Sequence, residues 1–182
     1  MIMAGAVLGV ATVGMLRVAQ TVVGVVHILF LGMDNFAPIR ASQIFQRRGS
    51  EALHHYLKNL TWKGGGAVLL LLLLINVNAT KITQLMYGTE YPDLGPVMLA
   101  VSIIYIGSLL NAVLGVWALA IEATEAVFVS LGGATAFAVL AAYPFVVFGG
   151  LAGALSGIFL VEFIRLCILF TALSRKGSAM AK

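Results

Sequence analysis

Apolar runs long enough to cross a lipid bilayer make up most of this chain, and they decide what it can fold into. A membrane-spanning helix takes about 20 mainly apolar residues. Runs of that length occupy 64–87, 95–121, 126–147 and 150–174, and a further apolar stretch fills 1–39. Of the 182 residues 61% are hydrophobic and 10% charged, where a soluble domain has roughly 45–50% and about 25%. A water-soluble globule has no core large enough to hide that apolar surface and too few charges to coat it. The expected fold is therefore all-α, a polytopic transmembrane helical bundle. The 20 glycines suit it, because small residues let transmembrane helices approach closely.

The N-terminal stretch 1–39 is too long for one span, reaching roughly 58 Å as a helix against a hydrocarbon core of about 30 Å. Divided near Gly14, it gives a short segment, 1–12, and a full span of about 15–38. Residues 1–16 carry no basic residue, so no secretory signal peptide is expected. One long polar insertion follows, residues 40–63. Within it Leu53, Tyr56, Leu57 and Leu60 recur at helical spacing, with His54, His55, Lys58 and Asn59 on other faces and Ser50 as N-cap. This pattern predicts an amphipathic helix lying in the membrane interface. The whole chain reads as a single transmembrane domain, 1–182. It comprises the N-terminal segment and first full span (1–39), the interfacial helix (40–63), four further spans (64–174) and a tail (175–182), about five full spans in all.

Charge position sets the expected orientation. The insertion carries Arg40, Arg47, Arg48, Lys58 and Lys63, and the tail carries Arg175, Lys176 and Lys182, eight of the 11 basic residues. Four spans separate the two segments, so both lie on one side, which the positive-inside rule makes cytoplasmic. The net charge of +4 thus serves topology and lipid headgroups, and no nucleic-acid partner is expected. The lone Cys167 sits in an apolar run, which excludes a disulfide framework and points to a small packing residue.

Polar groups at membrane depth are costly, so their angular distribution carries the functional signal. In the first full span Arg17, Gln20, Gly24, His27, Asp34 and Asn35 fall within roughly a 100° arc. Such a stripe suits one wall of a hydrated substrate pathway, and equally a buried interhelical network. Ser108, Asn111, Gly115 and Glu122 repeat the pattern more weakly. In the last span Glu162 and Arg165 stand at i, i+3, as a second site or as an ion pair that neutralises itself. The adjacent His54 and His55 point about 100° apart with no acidic partner at ligand spacing, so no metal site is expected. No nucleotide-binding loop, nucleophile elbow or zinc-protease helix occurs. Neither an enzyme nor a cofactor is expected.

The segment VGMLRVAQTVVGVVHILFLGMDNFAPIRASQIFQRRGSEAL, residues 13–53, resembles the second helix of a six-helix lobe in oligosaccharide flippases. These form the polysaccharide biosynthesis/export branch of the multidrug/oligosaccharidyl-lipid/polysaccharide superfamily. In their pattern a Gly and an Arg or Tyr open that helix, matching Gly14 and Arg17. A Pro closes it, matching Pro38, and a basic cytoplasmic helix follows. LMYGTEYPDLGPVMLAVSI, residues 85–103, is similar to the outward corner of the family's C-terminal lobe. The resemblance spans almost the whole chain. It implies flipping of an undecaprenyl-diphosphate-linked saccharide across the bacterial inner membrane for surface polysaccharide synthesis, in a multi-pass protein with a cytoplasmic C-terminus. The implied substrate-pathway residues are those of the stripe, with Arg17 on a diphosphate or acidic sugar. Family members have 12 to 14 spans in two lobes, so one lobe here implies a partner, an N-terminal lobe on the same or a separate chain or a second copy. The alternatives are half of a cation-coupled multidrug antiporter, and a non-transporting membrane subunit or degenerate fragment.

Overall fold

The computed structural model describes residues 10–88 and 94–180, with side chains described from 13 to 175. Residues 1–9 of the short N-terminal segment, the acidic residues Glu90 and Asp93, and Lys182 lie outside it. Every regular element among the described residues is helical: α1 Val10–Val23, one 3-10 turn Gly24–Val26, α2 His27–Val77, α3 Ala79–Tyr87, α4 Gly95–Ala120 and α5 Thr124–Met180. Continuous helix is what an apolar solvent demands, since it satisfies each backbone N–H and C=O within its own segment.

Among the described residues three elements are long and apolar enough to cross a membrane: Val13–Val77, Gly95–Ala120 and Thr124–Arg175. The sequence predicts about five separate spans, and the difference lies at two glycines. Gly49 (φ 77°, ψ −169°) interrupts α2 and Gly150 (φ 57°, ψ −137°) interrupts α5, in the left-handed region that glycine enters without steric cost. Each long element is thereby folded back on itself. Residues placed symmetrically about the two glycines meet: a Cβ on Gly64 would lie 3.4 Å from Met33 Sδ, and one on Gly157 would lie 3.6 Å from Phe145 Cβ. The hairpin legs are 27–48 with 50–77, and 124–149 with 151–180.

Four expectations are corrected here. No break occurs at Gly14, which lies inside α1. Pro38 does not end its helix, which continues to residue 48; the ring removes the donor that the Asp34 carbonyl would have used four residues back, and the helix tolerates that single loss. The segment 50–62 is not a separate helix. It is the first part of the continuous leg 50–77, and its apolar face, Leu53 and Leu57, packs with Val116, Ile121, Leu169 and Leu173. Amphipathic spacing states that a face needs covering, and here protein covers it. Cys167 is exposed, not a packing residue.

Two clusters form the core. One joins α1, the 3-10 turn and the first leg (Val22, Val26, Phe30) to Val68, Leu72, Met98 and Val101, and Asn76 Nδ2 donates to Ser102 Oγ at 2.7 Å across the same seam. The other brings the Gly49 end of α2, the end of α4 and the end of α5 together through Leu53, Val116 and Leu169. The Gly49 tip and the C-terminal leg therefore share one end of the bundle. There α4 stops in a Schellman-type turn, with Ala123 N–H on Ala118 O at 2.7 Å and Glu122 N–H on Leu119 O at 3.2 Å, Glu122 itself at φ 58°.

Candidate functional site

Gln20 near the end of α1, and His27 and Asp34 seven residues apart on the first leg of α2, line one edge together. That edge faces α4 and the second leg of α5 across a cavity of about 410 Å³. α4 contributes Tyr105 and Ser108, and α5 contributes Glu162 and Arg165. Phe30 fills the step between His27 and Asp34; its ring stacks on Tyr105 (centroids 6.0 Å apart, 16° between planes) and meets His27 edge-on at 6.2 Å. The cavity thus has an aromatic wall and a polar one, the mix that binding sites combine for contact area and orientation.

The polar wall is held from behind. Asn111 is fully buried, and its Nδ2 donates to the Glu162 backbone oxygen at 2.9 Å and to Glu162 Oε2 at 2.8 Å. The Glu162 side chain is therefore tied to α4, not to Arg165. No ion pair joins Glu162 and Arg165, and Arg165 Nε is buried without a hydrogen-bond partner, as is Asn111 Oδ1. By formal charge the lining holds two acids, Asp34 and Glu162, and one guanidinium.

The stripe divides. Gln20, His27 and Asp34 line the cavity with Glu162 and Arg165, while Arg17, Gly24 and Asn35 do not. Arg17 is exposed, its carbonyl accepting from Thr21 Oγ1 at 2.9 Å, and it lies roughly 60° around the helix from Gln20. Asn35 is likewise exposed. Gly24 backs the site indirectly, since a Cβ there would sit 3.5 Å from the Tyr105 hydroxyl. Of the weaker face on α4, Ser108 lines the cavity and Asn111 supports it, whereas Glu122 lies in the turn at the Gly49 end of the bundle. Sequence reasoning missed Tyr105 and Phe30. The available signal was Tyr105 three residues before Ser108, on one α4 face. Among the described residues no three His, Cys, Asp or Glu side chains converge as a metal site. No family model, curated protein or solved structure matches the chain.

Proposed function

We propose that the chain is half of a membrane transporter, one lobe of a flippase that moves an undecaprenyl-diphosphate-linked oligosaccharide across the bacterial inner membrane for surface polysaccharide synthesis. Five helical legs would cross the bilayer, with the Gly49 tip and the C-terminus cytoplasmic. The observation that carries the reading is the polar cavity shared by three legs of an otherwise apolar bundle. Ionisable groups at membrane depth mark substrate and ion pathways by default. The chemistry suits a saccharide: Gln20, Ser108, Tyr105 and the two carboxyl groups offer donors and acceptors to sugar hydroxyls, and Phe30 with Tyr105 offers a ring surface. Arg165 supplies the fork that fits a diphosphate, a role that the exposed Arg17 does not share. Alternating access needs two halves rocking about a central site, so an N-terminal lobe or a second copy completes it.

The test joins this chain to an N-terminal flippase lobe in a cell lacking its own flippase and measures surface polysaccharide. Polysaccharide returns; Arg165→Gln lowers it roughly tenfold with normal membrane insertion, the loss of one charge-assisted pair, and Arg17→Ala leaves it near the parental level. Absence of polysaccharide from the parental fusion sinks the flippase reading, and parental export by Arg165→Gln removes the anion role. A cation-coupled multidrug antiporter half is the second reading, favoured by Asp34 and Glu162 outnumbering Arg165 in the lining. It requires export of an organic cation that Glu162→Gln abolishes.

A further inference from the structure

The first hairpin carries a second cavity, of about 270 Å³, in the seam between its legs. It shares no lining residue with the polar cavity. Its walls are Gly32 and Phe36 from one leg and Gly64 and Ala67 from the other, and Arg40 with Tyr56 closes the end nearest Gly49. A Cβ on Gly32 would meet nothing within 4 Å, so this glycine leaves open space and is not a close helix contact. Arg40 is exposed and is the only charged group of the lining.

The dimensions select the occupant. The lining runs from Leu29 to Arg40, 11 residues or about 16 Å of helix, close to one leaflet's share of a hydrocarbon core of about 30 Å. If the apolar floor lies in one leaflet, Arg40 sits at the depth of its headgroup phosphates. A protein helix is about 10 Å across and does not fit between the legs of a packed hairpin, whereas a single hydrocarbon chain does.

We propose that this seam is a binding site for an anionic phospholipid of the leaflet on the Gly49 side. One acyl chain lies along Gly32, Phe36, Gly64 and Ala67, and the phosphate engages the Arg40 guanidinium, with the Tyr56 hydroxyl as second donor. Guanidinium and phosphate pair through two parallel hydrogen bonds, and basic pockets between transmembrane helices select anionic headgroups. The site stands on the hairpin alone and does not depend on the transport reading.

The full chain in detergent micelles is equilibrated with equal amounts of phosphatidylglycerol and phosphatidylcholine of matched acyl chains, and bound lipid is counted by native mass spectrometry. The expected result is phosphatidylglycerol bound in preference by about fivefold, the weight of one basic residue at a lipid surface. Arg40→Gln brings the ratio near one while lipid stays bound. Gly32→Leu, which fills the seam, loses both lipids. Arg47→Gln, an arginine of the same hairpin outside the groove, keeps the parental ratio. An unchanged ratio in Arg40→Gln overturns the proposal. So does an equal loss in Arg47→Gln, which would mean diffuse attraction to the hairpin tip, or displacement of the lipid by millimolar inorganic phosphate, which would make the ligand a free anion. Should Gly32→Leu fail to fold, the exposed Arg40 and Arg47 variants still decide.

Discussion

The two helical hairpins are built alike and held differently. Each is one long apolar helix reversed at a single positive-φ glycine, Gly49 or Gly150. Ten residues of the first hairpin are buried, from Phe30 to Ile75, and six of the described side chains of the second, from Ser130 to Leu173. The first is braced by α4 along its length, so its legs can stand apart, touching at Gly64 through the flexible Met33 and leaving a groove between them. The second rests on α4 through its C-terminal leg, at Glu162, Leu169 and Leu173, while its first leg, 124–149, buries only Ser130, Ala134 and Val146. Gly153 sits directly against the Phe145 carbonyl, Gly157 against its ring and Gly133 against Ile168. Where lipid gives no hydrophobic drive between helices, close backbone approach is the remaining source of adhesion. The hairpin with one little-buried leg thus has the tightest internal seam.

The largest effect that this contrast predicts is at Gly153. A Cβ there overlaps backbone, which cannot step aside as a side chain can, so Gly153→Val destabilises by about 3 kcal/mol or more. Unfolding in mixed micelles followed by circular dichroism measures it, and a loss under about 1 kcal/mol would show that the second hairpin does not rely on its seam. Next come the polar ties from α4 to each hairpin. Asn111 donates to the Glu162 carboxyl group and Asn76 to the Ser102 hydroxyl. Loss of the first strands a carboxyl group beside a buried amide site, so Asn111→Ala costs about 2 kcal/mol against about 1 kcal/mol for Asn76→Ala. Equal costs in the same assay would deny that the second hairpin depends more heavily on its tie.

The turns themselves bring a smaller effect. Nothing lies within 4 Å of a Cβ at Gly49, so Gly49→Ala isolates the left-handed conformation and costs about 1 kcal/mol. That glycine also marks the limit of what the sequence made legible. Apolar run length revealed the helices, and helical periodicity gathered Arg17, Gln20, Gly24, His27, Asp34 and Asn35 within one arc, because both are properties of a single segment. The reversal at Gly49 was hidden behind an amphipathic pattern, Leu53 with Leu57, that lipid and protein satisfy equally well. The division of the stripe was hidden too, since only the position of α4 decides that Gln20 faces the cavity and Arg17 does not. The tie between Asn111 and Glu162 spans 51 residues, and no local periodicity reports a partner at that distance.

The smallest effect sharpens the comparison most. Gly64 occupies in the first hairpin the role that Gly153 has in the second, a glycine where one leg approaches the other. Its neighbour, Met33 Sδ at 3.4 Å, is near the end of an unbranched side chain, and methionine repacks readily around an added methyl. Alanine also favours the helix over glycine by up to about 1 kcal/mol. The steric cost and the propensity gain then nearly cancel, so Gly64→Ala changes unfolding stability by no more than about 0.5 kcal/mol. A loss as large as that of Gly153→Val would mean that the first hairpin, too, is held by backbone contact, and that its groove is no wider than the seam of the second.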